Sequence, residues 1–395
     1  MSRGHLMRTL LVAAVALAAA GAAFGEAGFT PICNGKDLSG WSVIVGDAAA
    51  WKVEGGELVC SGEGGGYLAT NKEYADLELM LEYKISKGGN SGVFLRASGD
   101  DPVHSGFEVQ VLDSAGQEPS RHTAGGIYGV ISPYREVSQP AGEWNQVYIR
   151  CVDKEVVVKL NGVKIVDANL DQYPELAQRN WRGRIALQNH GSAVSFRNLA
   201  VREVKAAMRP LFNGDSYVGW RIEGDPKMWT VEHNAMACLG GSGGWVHSER
   251  KYENFILSLE YDTEGNSGIF IRAADEGDPA FTGMEIQVLQ DSGEEPDIHS
   301  STSIYGALVP AVNTTRPAGQ WNRVVVTCQG PRVTVTQNGV KIQDYSMTDP
   351  ALNALEIQAS KLKDRVRSGY IGMQNHGNRV RYRNIRIQEL PPGGW

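Results

Sequence analysis

The chain has 395 residues, 42% hydrophobic and 21% charged, so it can bury cores and is not a disordered polymer. Its net charge of −7, with no run of lysine and arginine, argues against nucleic acid and anionic membrane surfaces as partners. The length suits two domains, and 47 glycines set between short apolar runs suit an all-β fold rich in turns.

Residues 1–25 read as a secretory signal peptide. Arg3 and Arg8 form a basic start, Leu10 to Ala20 a short apolar stretch, and Ala23-Phe24-Gly25 or Ala20-Gly21-Ala22 a small-residue cleavage site. An uncleaved anchor is the competing reading, although the apolar run is short for a membrane span. A lipoprotein fits less well, because Cys33 follows Thr30-Pro31-Ile32. The expected location is outside the cytoplasm, periplasmic or extracellular, with no membrane contact once the signal is cleaved.

From there the chain repeats itself. Asn34-Gly35-Lys36-Asp37-Leu38-Ser39-Gly40-Trp41 answers Asn213-Gly214-Asp215-Ser216-Tyr217-Val218-Gly219-Trp220, and Asn90-Ser91-Gly92-Val93-Phe94-Leu95-Arg96-Ala97 answers Asn266-Ser267-Gly268-Ile269-Phe270-Ile271-Arg272-Ala273. Glu108 answers Glu285 and Asn161 answers Asn338, each 177 positions on, whereas Gln188 answers Gln374, 186 positions on. The extra residues fall around Asp349 to Lys363, the one segment expected to form a short helix. A period this long means two whole domains, residues 26–205 and 206–395, with Ala206 to Pro210 as linker.

Within each copy the pattern is short alternating strands. Val156 to Leu160, Asn161-Gly162 and Val163 to Val166 predict a hairpin with a type I′ turn. Val147, Ile149 and Cys151 predict an apolar face on the strand before it, and Trp144 and Trp321 read as core anchors beside a turn. The expected architecture is all-β: two jelly-roll or lectin-like β-sandwiches in tandem. Export would permit Cys60–Cys151 and Cys238–Cys328 bridges, although each cysteine also suits an apolar strand face. No paired Cys/His spacing marks a metal site, so no cofactor is expected and a divalent metal stays open.

Polar residues that recur where a core would not need them are the site candidates. They are Arg96 and Arg272, Glu108 and Glu285, Gln110 and Gln287, Gln188 and Gln374, His190 and His376, His122 and His299, and Tyr128 and Tyr305. Residues two apart on a strand share a face, so Glu108 with Gln110, and Gln188 with His190, belong together. Such a face suits sugar hydroxyls and carbonyls, which need many directional donors and acceptors. The structural alternatives are an Arg96–Glu108 cross-strand ion pair and a His190 that bonds a turn backbone. Asn34 and Asn213, each before glycine, read as turn residues.

The Asn-Gly-Lys-Asp-Leu-Ser-Gly-Trp opening at Asn34 and the Asn-Ser-Gly-Val-Phe-Leu-Arg block at Asn90 resemble the 3-keto-disaccharide hydrolase family. The Glu-Val-Gln-Val-Leu-Asp block at Glu108 and the Leu-Gln-Asn-His-Gly block at Leu187 strengthen the likeness, which covers each half nearly end to end. The resemblance implies a concanavalin-like jelly roll, bacterial export, a carbohydrate partner and cleavage of glycosides oxidised at sugar C3. A ketone there acidifies the C2 proton, so the route needs a base near operating pH and a donor at the ketone oxygen. The expected assignment is His190 as base, with Glu108 orienting it or acting as base itself. Arg96 would stabilise the enolate, with Gln110, Gln188, Tyr128, His122 and Asp113 at the substrate. In the second copy the roles fall on His376, Glu285, Arg272, Gln287, Gln374, Tyr305 and His299. Asp113 becomes Gln290, Gly125-Gly126 becomes Thr302-Ser303 and Trp181 has no counterpart before Gly369, which favours catalysis in the first copy. The rival readings are a non-catalytic carbohydrate-binding tandem and a laminarinase-like glycosidase using Glu108 and Asp113.

Overall fold

The computed structural model describes residues 28–99, 101–204, 208–358 and 360–391. The signal-peptide reading of residues 1–25 and the linker residues Ala206 and Ala207 lie outside the described residues. The chain divides into two compact units, Met1–Ala206 and Ala207–Trp395. Arg209–Pro210, read as linker, is a short strand paired with Ile387 and Arg386 of the second unit.

Each unit is a pair of antiparallel sheets, one of eight strands and one of five, so the all-β sandwich expectation holds. In the first unit the smaller sheet runs Trp41–Gly46, Gly66–Tyr74, Gly183–Asn189, Asn90–Ala97, Phe107–Leu112. The second repeats this order with Trp220–Gly224, Gly244–Ser248, Tyr370–Asn375, Asn266–Ala273 and Met284–Leu289. Alternation along these strands divides their residues between two faces. Leu68, Val93, Leu95, Val109, Val111, Ile185 and Leu187 enter the core with Leu79, Leu81, Ile149 and Phe196. Each such aliphatic chain contributes about 1.5–3 kcal/mol by leaving water. The other face of the five-stranded sheet carries a small separate apolar group, Ala69, Phe94, Ala97 and Ala186, beside the polar candidates.

The Asn161-Gly162 hairpin forms as expected: φ is 51° at Asn161 and 81° at Gly162, the left-handed pair that a type I′ turn requires. Asn34 holds its turn by accepting from the N–H groups of Lys36 and Asp37. Asp349 to Lys363 yields less helix than expected, with five helical residues, Pro350–Ala354, and a 3₁₀ turn at Leu362–Asp364. Trp144 and Trp321 are not core anchors. Both are half-buried and stacked under guanidinium groups, Arg197 at 3.9 Å and Arg383 at 4.0 Å.

The disulfide option fails on geometry. Cys60 and Cys151 sit on strands of one sheet with two other strands between them, about 14 Å apart at the usual strand spacing. Cys238 and Cys328 are separated in the same way, and none of the five cysteines is in a disulfide. The four buried thiols fill apolar strand faces.

Candidate functional site

The register of the five-stranded sheet assembles the site. Gly92 pairs with Gln110 and Phe94 with Glu108. Leu187 pairs with Val93, so Gln188 stands beside Gly92, and Gln188 pairs in turn with Tyr67. Tyr67, Gln188, Gly92 and Gln110 therefore form one row across the outer face. The glycine is needed there: a Cβ at Gly92 would lie 2.0 Å from Glu108 Oε1. The glutamate side chain bends across its neighbouring strand and lies over that glycine, between the two glutamines. In the second unit the row is Trp245, Gln374, Gly268 and Gln287, and a Cβ at Gly268 would lie 1.9 Å from Glu285 Oε1.

Neither carboxylate has a counter-charge among the described residues. Glu108 is 7% exposed and Glu285 3%. Burial pushes the Glu108 carboxyl up to about 8. Burial, helped by the negative charge of Asp278, does the same to Glu285. Gln110 holds the first carboxyl in place: with its amide turned to satisfy the local network, its nitrogen donates to Ser91 O at 3.0 Å and Glu108 Oε1 at 3.1 Å. Gln188 bonds the Tyr67 hydroxyl with its side chain. The amide oxygens of Gln188, Gln287 and Gln374 are buried and have no protein donor. A buried acceptor without a donor costs about 1–3 kcal/mol, which a ligand hydroxyl would recover.

His190 and His376 come directly after the strands that carry Gln188 and Gln374, and both are exposed. The turn after His190 is locked by Asn189, whose Nδ2 donates to Glu63 O at 2.7 Å and whose Oδ1 accepts from Gly191 N at 3.1 Å. The histidine is thus free of the turn-bonding role. In the second unit His376 lines a cleft of ≈ 240 Å³ together with Asn266, Asp278, Phe281, Glu285, Gln287, Tyr305, Gln358 and Gln374. Tyr128 and Tyr305 are tied to the glutamates through backbone, each N–H donating at 3.0 Å to the carbonyl of Glu108 or Glu285. His122 and His299 lean on those tyrosine rings at 5.2 Å and 5.1 Å, and so reach the site through the tyrosines.

Two expectations are overturned. Arg96 and Arg272 do not share the glutamate's face. Both sit at positive φ, 57° and 54°, where the register with the neighbouring strand slips, and the bulge turns their side chains inward. Arg96 is 1% exposed, donates through Nε and Nη2 to Ala75 O, and faces Asp76 at 3.6 Å. Arg272 donates to Glu253 O and, at 2.8 Å, to Gly330 O. Neither makes an ion pair with its glutamate. These arginines fasten loops, and Arg272→Lys is expected to destabilise the protein by about 2–4 kcal/mol in denaturant titrations. It should leave the pH profile of activity where it was.

The second correction is Asp113, which fastens the Gly88 turn by accepting from Gly88 N at 2.8 Å. The two-carboxylate arrangement of the glycosidase reading is therefore not built. Gly125 and Thr302 share a left-handed backbone, φ 78° and 64°, so that exchange leaves the loop's path intact. The Asp113 and Gly125 exchanges thus give no reason to favour the first copy over the second.

Sequence reasoning missed Tyr67, Trp245, Asn266 and the two glycines. It also missed Asp101–His104, in which His104 Nδ1 lies 2.9 Å from Asp101 Oδ2, and its counterpart Asp278–Phe281. Gly92 and Gly268 were visible inside a repeated block, but only the glutamate's bend shows why glycine stands there. Tyr67 and Trp245 differ between copies, and a filter for identical residues passes over them.

The smaller sheet of each unit thus carries a buried acid among amides with an exposed histidine at its rim, a donor and acceptor set suited to sugar hydroxyls. The described residues contain no helix long and apolar enough to cross a membrane. The model of the 3-keto-alpha-glucoside-1,2-lyase-like domain matches residues 28–202 and again 207–388, so the chain belongs to this family and carries two copies of its domain. A 3-keto-disaccharide hydrolase from Bacteroides thetaiotaomicron is 29% identical over 227 residues, covering 44% of this chain and 78% of that protein. Among solved structures, a candidate glycosyl hydrolase from Parabacteroides distasonis superposes with a TM-score of 0.41 at 25% identity, covering 45% of this chain and 95% of its own. The carbohydrate-binding module CBM66 from Bacillus subtilis gives 0.32 at 12% identity, covering 42% and 96%.

Proposed function

We propose that both domains cleave glycosides whose sugar carries a ketone at C3, by elimination followed by hydration. The observation that supports this most directly is the pair of buried glutamates with carboxyls pushed up to about 8. A base of that strength matches an α-keto C–H far better than an ordinary carboxylate does. Glu108 or Glu285 takes the C2 proton, and the electron pair moves into an enolate at C3. Collapse of the enolate forms C1=C2 and breaks the C1–O bond. The departing glycosidic oxygen takes a proton, and we assign its donor to the exposed rim histidine, His190 or His376. Water then adds across the enone, with oxygen at C1 and a proton at C2. Gln188 and Gln374 accept hydroxyl hydrogens of the sugar, and the enolate oxygen takes its N–H donor from Asn90 or Asn266 in place of the arginine. The basic and apolar character of residues 1–25 supports action outside the cytoplasm.

The test is release of a chromogenic aglycone from a 3-keto-β-glucoside and a 3-keto-α-glucoside, beside the unoxidised parents and an EDTA-treated sample. Turnover of keto sugars alone is the expected result. Equal turnover of the parents would overturn the elimination route, and turnover of neither would return the chain to a binding role. Loss of turnover in EDTA would add a metal to the scheme.

A further inference from the structure

The outer face of the second domain's small sheet extends past the Glu285 cleft into a second cavity, of ≈ 370 Å³, lined by Arg221, Glu223, Trp245, His247, Asp275 and Tyr370 among others. Three of these are rings in a continuous series. Trp245 stacks on His247 with centroids 4.4 Å apart and planes 25° apart, and His247 meets Tyr370 at 4.7 Å. The series is braced from below and from the side. Trp245 lies against Gly372, where a Cβ would come within 2.4 Å of its ring, and Phe270 meets it edge-on at 5.5 Å. His247 is held by its Nδ1–H, which donates to Ser248 O at 2.9 Å, and its Nε2 faces Glu223 at 3.5 Å. Tyr370 donates to Asp275 Oδ1 at 3.0 Å.

The first domain lacks this series at the same register positions. It has Tyr67 for Trp245, Ala69 for His247, Arg184 for Tyr370 and Ser42 for Arg221, and Ile44-Val45 stands where Glu223 stands. The first domain therefore keeps the base and its amides but not the platform. Trp245 also pairs with Gln374, which lines the Glu285 cleft, so the two cavities meet at this tryptophan. Aromatic rings with a guanidinium and two carboxylates in one cavity suit a pyranose, which has apolar C–H groups and polar hydroxyls. A purely aromatic aglycone would leave those polar groups unused.

We infer that the second domain carries an additional pyranose subsite on Trp245, His247 and Tyr370, adjoining the Glu285 cleft. The second domain thus takes saccharides at least one ring longer than those for which the first is built. This rests on the reading of the Glu285 cleft as a saccharide site.

The test is calorimetric titration of the full chain in a turnover-free Glu108→Gln/Glu285→Gln background. The probes are glucose disaccharides oxidised at C3 of the non-reducing ring, the matching methyl 3-keto-glucosides, and an aryl 3-keto-glucoside. Tyr370→Arg and His247→Ala install the residues that the first domain's own sheet accepts. Each is expected to weaken one of two disaccharide sites by about tenfold and to leave the methyl glucosides unchanged. An unchanged disaccharide-to-methyl-glucoside ratio in both variants would overturn the subsite while leaving the Glu285 reading intact. Loss confined to the aryl glucoside would overturn the pyranose assignment. No binding of any probe to the parent background would remove the saccharide reading itself, and the subsite with it.

Discussion

Glu108→Gln together with Glu285→Gln is expected to lower turnover of a 3-keto-glucoside by about 10²–10⁴-fold, the usual share of a general base. Either change alone should remove only its own domain's contribution, because each domain holds a complete set of glutamate, glutamines and rim histidine. Glutamine keeps the size of the side chain and its place over Gly92 or Gly268, so the fold should survive. The pH dependence follows from the direction of the shift. Both carboxyls are raised from 4.5 to about 8 by burial, and the ionised form is the active one. The rate should therefore climb through pH 8 and fall below it.

Stability runs the other way. A carboxyl whose folded-state pKa is raised binds its proton more tightly in the folded chain than in the unfolded one. That contribution is fully present below about pH 4.5 and is lost as pH rises to about 8. The double Gln variant should be spared this loss, and at pH 9 should outlast the parent by about 1–4 kcal/mol in denaturant titrations. A parent enzyme whose activity held steady from pH 5 to 9 would remove these glutamates from the proton-transfer step.

Gly92→Ala with Gly268→Ala is expected to cost about 10²-fold in turnover, at a stability cost of about 1–3 kcal/mol. Neither glycine lies in the left-handed region, so alanine is compatible with the backbone. The obstacle is the glutamate alone: a Cβ would stand 2.0 Å from Oε1 of Glu108 and 1.9 Å from Oε1 of Glu285. The side chain must leave its bend, and a carboxylate displaced by an ångström no longer meets the C2 proton in line. Because the atoms in the way belong to a flexible side chain, the sheet itself should persist. Kinetics and melting curves on the same samples separate the two effects. Wild-type turnover in the doubly substituted protein would show that the bend is not part of the site.

Most of the architecture is legible in the sequence. The Asn90–Ala97 and Asn266–Ala273 blocks exposed the duplication, the Asn-Gly pairs fixed the hairpins, and period-two alternation put Glu108 and Gln110 on one face. The errors share a cause. Strict alternation puts Arg96 beside Glu108, and a single bulge at positive φ reverses its direction. Asp113 follows Glu108 closely in sequence, yet it lies past the strand end, where the Gly88 turn claims it. The paired cysteines recur in both copies, but recurrence carries no distance, and two intervening strands keep them apart.

Residue types and their two-fold recurrence sufficed for an all-β tandem, its family, and the short roll of acids, amides and histidines from which a sugar site is made. Those features are local or periodic, and the chain writes them in order. Only tertiary structure decided that Glu108 and Glu285 are buried without a counter-charge among the described residues, that glycine makes room for them, and that the arginines belong to loops. It also decided that Trp245, His247 and Tyr370 meet. Each of those facts depends on which strands lie side by side and in what register, and burial and side-chain direction exist only once that pairing is made.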